Sequence, residues 1–153
     1  MCGVVGILST KKEIAGELYE SLIHLQHRGQ DAAGIMTYNE RFHIKKGTGL
    51  VRDVFDEQNM ARLQGKIGIG HTRYPTVGGF SVEEAQPVLT SVPYGIAMAH
   101  NGNLVNYSEL AREVSQENHR HINSSVDIEV ILHVFGHALY HPAGNTAELS
   151  FFD

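Results

Sequence analysis

Apolar positions along the chain follow two periods in turn. Residues 2–8 form a short β-branched apolar run broken by Gly3 and Gly6, the pattern of a buried strand. From Glu13 the apolar residues Ile14, Leu18, Leu22 and Leu25 recur at intervals of four and three, which marks one face of a helix, with Gly29 as its C-cap. Residues 33–38 and 42–46 read as two strands joined around Asn39 and Glu40, a hairpin by length and turn chemistry. Residues 50–64 are mixed and predict short helical pieces. Residues 66–74 and 94–100 predict two more strands, the first alternating small and apolar side chains. Between these strands lie Pro75, Gly78, Gly79, Pro87 and Pro93, too irregular for a helix and long enough for a functional loop. Asn106 and Glu109 have capping-box spacing and open a helix over residues 107–116. A last helix carries Ile128, Ile131, Leu132, Phe135 and Leu139 on one face, with Ser124, Ser125 and Asp127 at its start. This order of elements predicts a layered α+β domain with mostly antiparallel pairing. The glycines of GKIGIG fall inside a strand pattern and so do not make a dinucleotide-binding turn.

Composition narrows the function class. With 153 residues the chain is long enough for one domain with a real core. At 42% hydrophobic and 19% charged residues it has a globular balance. Twelve Lys and Arg against seventeen Asp and Glu give a net charge of -5, which disfavours a nucleic-acid backbone as partner. One cysteine allows no internal disulfide and no cysteine-rich zinc cluster, which fits a reduced, cytoplasmic setting. No apolar run reaches the roughly 20 residues of a membrane helix. Sixteen glycines, many beside polar residues, suggest loops whose backbone approaches a ligand closely.

Cys2 is the first candidate for chemistry. Methionine before so small a side chain is readily trimmed, which would expose a residue that carries both a thiol and a free α-amine. Free thiols and α-amines ordinarily titrate within about one unit of each other, so such an amine can help remove the thiol proton, through a bridging water because direct transfer is strained. A free cysteine is as readily a small buried hydrophobe, and its neighbours alone leave the two readings level. His71 offers a rival base in a Cys/His dyad. His133, His137 and His141 lie four apart on the last helix, yet no HExxH and no acidic third ligand accompanies them, so no metal site is expected.

Five motifs stand in order: CGVVGI from Cys2, LQHRGQDAAGI over residues 25–35, GIGHTRYPTVGG over 68–79, AHNGNL over 99–104, and the Asp127 segment. Together they resemble the glutaminase domain of the amidophosphoribosyltransferase family, class II glutamine amidotransferases with the N-terminal-nucleophile hydrolase fold. QHRGQDAAG and RYPT resemble this branch, whereas the glucosamine-6-phosphate synthase branch typically has YRGYDSAG and RWATHG. The resemblance implies a four-layer αββα fold, and an enzyme whose Cys2 attacks the side-chain amide of glutamine, expels ammonia for transfer to phosphoribosyl pyrophosphate, and forms a thioester that water hydrolyses. That transfer would be the first step of purine synthesis.

The resemblance further assigns Asn101 and the Gly102 N–H to an oxyanion hole, where one donor is worth roughly 3 kcal/mol; Asn-Gly by itself would read as a hairpin turn. Arg73 would hold the α-carboxylate of glutamine and Asp127 the α-ammonium, with Thr76 and Gly102 adding contacts. Residues 74–80 would act as a flap hinged on Gly78 and Gly79. Arg28, Gly29 and His71 would support the site. Val126 and Ile128 flank Asp127 where related sequences often carry hydroxyls, a departure expected to loosen the ammonium pocket. The expected domain is a partial one over residues 1–153, with the family's phosphoribosyltransferase domain not represented. No cofactor is expected in this stretch; magnesium would belong to the transferase domain, and any iron–sulfur cluster would lie mostly outside. Expected partners are glutamine, a transferase domain or chain, and further copies of the full-length protein, with neither nucleic acid nor membrane. The alternative function is a non-catalytic glutamine-binding or regulatory module beside a separate transferase chain.

Overall fold

In the computed structural model, residues 1–74, 81–92, 94–117 and 119–140 are described. Thr76, Gly78 and Gly79, the proposed flap apart from Tyr74, and the tail from His141 lie outside them.

The first strand is β1, Gly3–Leu8, followed by helix α1, Ala15–Leu25. The hairpin forms as β2, Ala32–Asn39, and β3, Arg41–Thr48, turning through Glu40 at φ 58. Two short helices, α2 (Val51–Val54) and α3 (Glu57–Met60), precede β4, Ile67–Arg73. These strands make one antiparallel sheet in the order β1-β4-β2-β3. Side chains alternate across a strand. Thus Gly68, Gly70 and Thr72 of β4, with Ala33 and Ile35 of β2, face α1, while Ile69, His71, Arg73, Gly34 and Met36 face the other way. The main core lies on the first face, where Ile14, Leu18, Leu22, Ile35 and Val51 are buried. The small residues of β4 have a steric cause: a Cβ on Gly68 would stand 2.9 Å from Leu18 Cδ1 and 2.5 Å from the Met36 carbonyl oxygen.

On the opposite face a second, two-stranded antiparallel sheet pairs β5, Val88–Thr90, with β6, Ile96–Met98. Helix α5, Asp127–Tyr140, packs on its outside, and the shorter α4, Tyr107–Arg112, packs on α5. Val88, Val126, Ile128 and Leu132 form this layer's core. The layers therefore run helix, sheet, sheet, helix, an α+β architecture. Val126 and Ile128 are core residues here, buried with Val88 and Leu132.

Four local expectations are corrected. Gly29 does not cap α1, which ends at Leu25 and continues as a 3-10 turn, Gln26–Arg28. Gly29 is extended (φ -168, ψ 127), and a Cβ there would stand 2.5 Å from the Arg73 carbonyl carbon. Close approach to β4, not a left-handed turn, explains this glycine. Asn106 makes no side-chain cap, and α4 gives way at Glu113 to a π-helical turn, Glu113–Glu117. Strand β5 forms within the stretch read as loop; at three residues it is too short to show a period. Phe135, expected on the apolar face of α5, is 44% exposed.

Candidate active site

Antiparallel pairing of β1 with β4 places Gly3 opposite Thr72, which brings Cys2 alongside the end of β4 where Arg73 stands. The Cys2 carbonyl oxygen accepts two hydrogen bonds: from Arg28 Nε at 2.9 Å and from Asn101 Nδ2 at 3.0 Å. One donor comes from the turn after α1 and the other from the loop after β6, so three distant pieces of sequence fix one backbone group. The half-buried thiol points at the Tyr74 carbonyl oxygen, 3.8 Å away. It opens on a cavity of about 370 Å³ whose walls include Cys2, Arg73, Tyr74, Gly102, Ser125 and Asp127.

Arg73 is almost wholly buried, and its Nη1 donates to Glu84 Oε2 at 2.9 Å. The other Glu84 oxygen accepts from Ser125 Oγ at 2.5 Å. Asp127 also has both oxygens engaged: Oδ1 lies 2.9 Å from His100 Nε2, and Oδ2 accepts the Leu104 N–H at 2.7 Å. The His100 N–H in turn donates to Gln86 Oε1 at 2.8 Å. Cation and anion therefore sit in one cavity, each held from behind by its own partners.

Glu84 and Gln86 were not singled out by sequence reasoning. Both belong to residues 83–86, which pack over the inner face of the large sheet. A Cβ on Gly34 would stand 2.1 Å from the Gln86 carbonyl oxygen, so β2 needs glycine at this crossing. Lys46 of β3 reaches over and donates to the carbonyl oxygens of Ala85 at 2.7 Å and Glu83 at 3.3 Å. Burial pushes the Lys46 ammonium below its ordinary range, while Glu129 and Glu83 pull the other way. The only sequence signal here was negative: two acids in a stretch without periodicity, one of which is buried.

Of the supporting residues, Arg28 touches Cys2 directly. Gly29 offers its carbonyl to Gln26 Nε2 at 2.5 Å, and Gln26 Oε1 accepts the Val51 N–H. His71 is fully buried on the inner face of β4 and is not among the residues lining the Cys2 cavity. Burial pushes its imidazole down to about 4, so it is neutral near pH 7. His133 and His137 of α5 belong to no group of three metal-ligating side chains among the described residues. Glu129, one turn before His133, instead gathers the N–H groups of Asn123 and Ser124 at 2.8 Å each and organises the start of α5. Burial opposes ionisation of Glu129, but hydrogen bonds from Ser124 and Asn123 outweigh it and hold the carboxyl below its usual range. No helix among the described residues is long and apolar enough to cross a membrane.

Comparison with known proteins bears directly on this geometry. A family model described as a glutamine amidotransferase domain matches residues 52–141, the part that supplies Arg73, Asn101, Gly102 and Asp127. The amidophosphoribosyltransferase of Pseudomonas aeruginosa is 52% identical over 140 residues, which is 91% of this chain and 28% of that protein. Its Escherichia coli counterpart is 50% identical over 141 residues, again 91% of this chain and 28% of that protein. The Saccharomyces cerevisiae enzyme of the same name is 49% identical over 139 residues, 88% of this chain and 27% of its own length. A solved structure described as the allosteric regulatory enzyme of purine biosynthesis superposes with a TM-score of 0.79 at 35% identity, over 96% of this chain and 30% of its own. Glutamine phosphoribosylpyrophosphate amidotransferase from B. subtilis, complexed with ADP and GMP, gives a TM-score of 0.77 at 33% identity over the same shares. The chain thus spans little more than a quarter of the length of its sequence relatives. With a family model matching more than half of its residues and solved structures that share its fold, the chain belongs to the glutamine amidotransferase domain family.

Proposed function

We propose that this chain, once Met1 is removed, hydrolyses the side-chain amide of glutamine to glutamate and ammonia. The observation that carries the reading is the pinning of Cys2, by Arg28 and Asn101, at a cavity whose walls hold one cation and one anion. A zwitterionic head group needs that pair of fixed charges, and a carboxamide carbon needs a nucleophile at a set distance from them. Met1 is 75% exposed, open to an aminopeptidase.

In the proposed sequence the Cys2 sulfur adds to the amide carbon, and the thiol proton passes through water to the freed α-amine. Negative charge gathers on the amide oxygen. The Gly102 N–H and the Asn101 amide stabilise it, Asn101 retaining one N–H for the Cys2 carbonyl and turning the other to the substrate. The protonated amine then gives its proton to the leaving nitrogen, the C–N bond breaks and ammonia departs. Water adds to the resulting thioester, the C–S bond breaks, and glutamate leaves with the thiol restored. Arg73 and Asp127 bind the α-carboxylate and α-ammonium throughout.

In a longer protein with a transferase part the ammonia would pass to phosphoribosyl pyrophosphate and open purine synthesis, a reading supported by the names of the relatives. The test combines intact mass with a glutamate-release assay. Protein lacking Met1 should release glutamate from glutamine, and Cys2→Ala should reduce release to background. Turnover in Cys2→Ala equal to that of the unaltered protein would refute the proposal. Glutamine binding by calorimetry without any turnover would instead favour a non-catalytic module.

A further inference from the structure

We infer that Glu84 is a positioning residue that keeps the two charged ends of the glutamine site apart, and the inference rests on the glutaminase reading above. Arg73 and Asp127 line the same cavity of about 370 Å³. In a partly buried space opposite charges attract more strongly than in water, and were these two to pair with each other neither would be offered to a ligand. The structure ties each back instead. Asp127 is held by the Leu104 N–H and His100. Arg73 is held by Glu84, which is not among the residues lining this cavity but borders a neighbouring one of about 550 Å³.

Glu84 is itself fixed on two sides. Ser125 Oγ donates to its second oxygen, and Ser125 stands two residues before Asp127. Lys46 clamps the carbonyls on either side of it, those of Glu83 and Ala85. The chain Arg73–Glu84–Ser125 therefore sets the spacing between the carboxylate end and the ammonium end of the head-group site. Charge matters here as well as reach. In Glu84→Gln the side chain could still accept one hydrogen bond from Arg73, but without its negative charge it could not oppose the pull of Asp127 on the guanidinium.

The experiment measures steady-state glutamine hydrolysis by the full chain and four variants. Glu84→Gln is expected to raise KM for glutamine about tenfold with kcat within about twofold, because the chemistry at Cys2 is untouched. Glu84→Asp, which keeps the charge, should recover part of that loss. In an Asp127→Asn background the pull of Asp127 on Arg73 is gone, so adding Glu84→Gln should raise KM by clearly less than tenfold. A general weakening of the fold would give the same factor in both backgrounds. If Glu84→Gln does not fold, Ser125→Ala, which releases one Glu84 oxygen, must raise KM in the same direction. An unchanged KM in Glu84→Gln, or in Ser125→Ala where that variant stands in, overturns the inference, as does an equal factor with and without Asp127. If the unaltered protein neither binds nor hydrolyses glutamine, the glutaminase reading falls and the inference with it, whereas normal turnover with an indifferent Glu84 removes the inference alone.

Discussion

His71 occupies the inner face of β4, fully buried, and among the described residues neither ring nitrogen makes a hydrogen bond. The His100 backbone lies near enough to offset part of the cost of burial but short of hydrogen-bond geometry, and the net effect lowers the imidazole from 6.5 to about 4. A depressed basic group binds fewer protons folded than unfolded, so the stability it contributes is complete above pH 6.5 and is lost as pH falls towards 4. The loss by pH 4 is ~3 kcal/mol from this residue. Urea midpoints between pH 7 and 4 should fall less steeply for His71→Asn than for the unaltered chain, and parallel slopes would show that another group is responsible. The residues of the candidate site were unevenly legible in the sequence. Cys2, Arg73 and Asp127 stood out because nucleophile, fork and acid fall inside ordered motifs. Glu84 and Gln86 did not, because hydrogen bonding to Arg73 and to the His100 backbone leaves no trace in local spacing.

At the scale of elements, β4 is the member on which both layers depend. It pairs with β1 on one side and β2 on the other. Its small residues admit α1 on one face, while Arg73 lines the Cys2 cavity on the other. Gly68→Val should therefore destabilise by overpacking, because the added atoms meet the Met36 carbonyl and Leu18 together. About 3 kcal/mol of destabilisation is expected from overpacking. Thermal denaturation of Gly68→Val beside Leu18→Ala, which empties a fully buried site at a cost of ~3 kcal/mol, should show both losses. A Gly68→Val protein as stable as the parent would mean that α1 can lift off without penalty. Helix α1 was readable because its apolar pattern repeats over several turns, and the β2–β3 hairpin because of its strand lengths and the turn residues Asn39 and Glu40. Strand β5 was not, since three residues between prolines carry no period. The cap expected at Asn106 failed for a backbone reason: at φ -106, ψ 32 this residue lies outside the extended conformation that aims an N-cap side chain back at the helix.

At the scale of the whole molecule, residues of both sheets line an apolar cleft of about 930 Å³, among them Met36, Phe42, Ile67, Ile69 and Ile96. Leu8 and Ile67 at this cleft are 73% and 47% exposed. Apolar surface of this extent attracts hydrophobic dyes. An environment-sensitive naphthalene sulfonate should fluoresce with the folded chain at neutral pH, and Leu8→Ser with Ile67→Ser should weaken that signal while glutamine hydrolysis persists. Loss of hydrolysis together with the dye signal would show that the cleft and the site are mechanically one unit. The buried Arg73–Glu84 pair and the His100–Asp127 pair stand elsewhere, at or beside the Cys2 cavity.

The sequence by itself determined which residues can form helix and strand and which motifs carry chemistry, because periodicity and residue type are local properties. Only the tertiary structure decided what stands behind each reactive group. That the Cys2 carbonyl is held from both Arg28 and Asn101, that Glu84 restrains Arg73, and that Gly29 and Gly34 are glycines because other backbone passes against them are matters of contact between distant segments. Distance through space is set by how sheets and helices pack, and sequence separation carries no record of it.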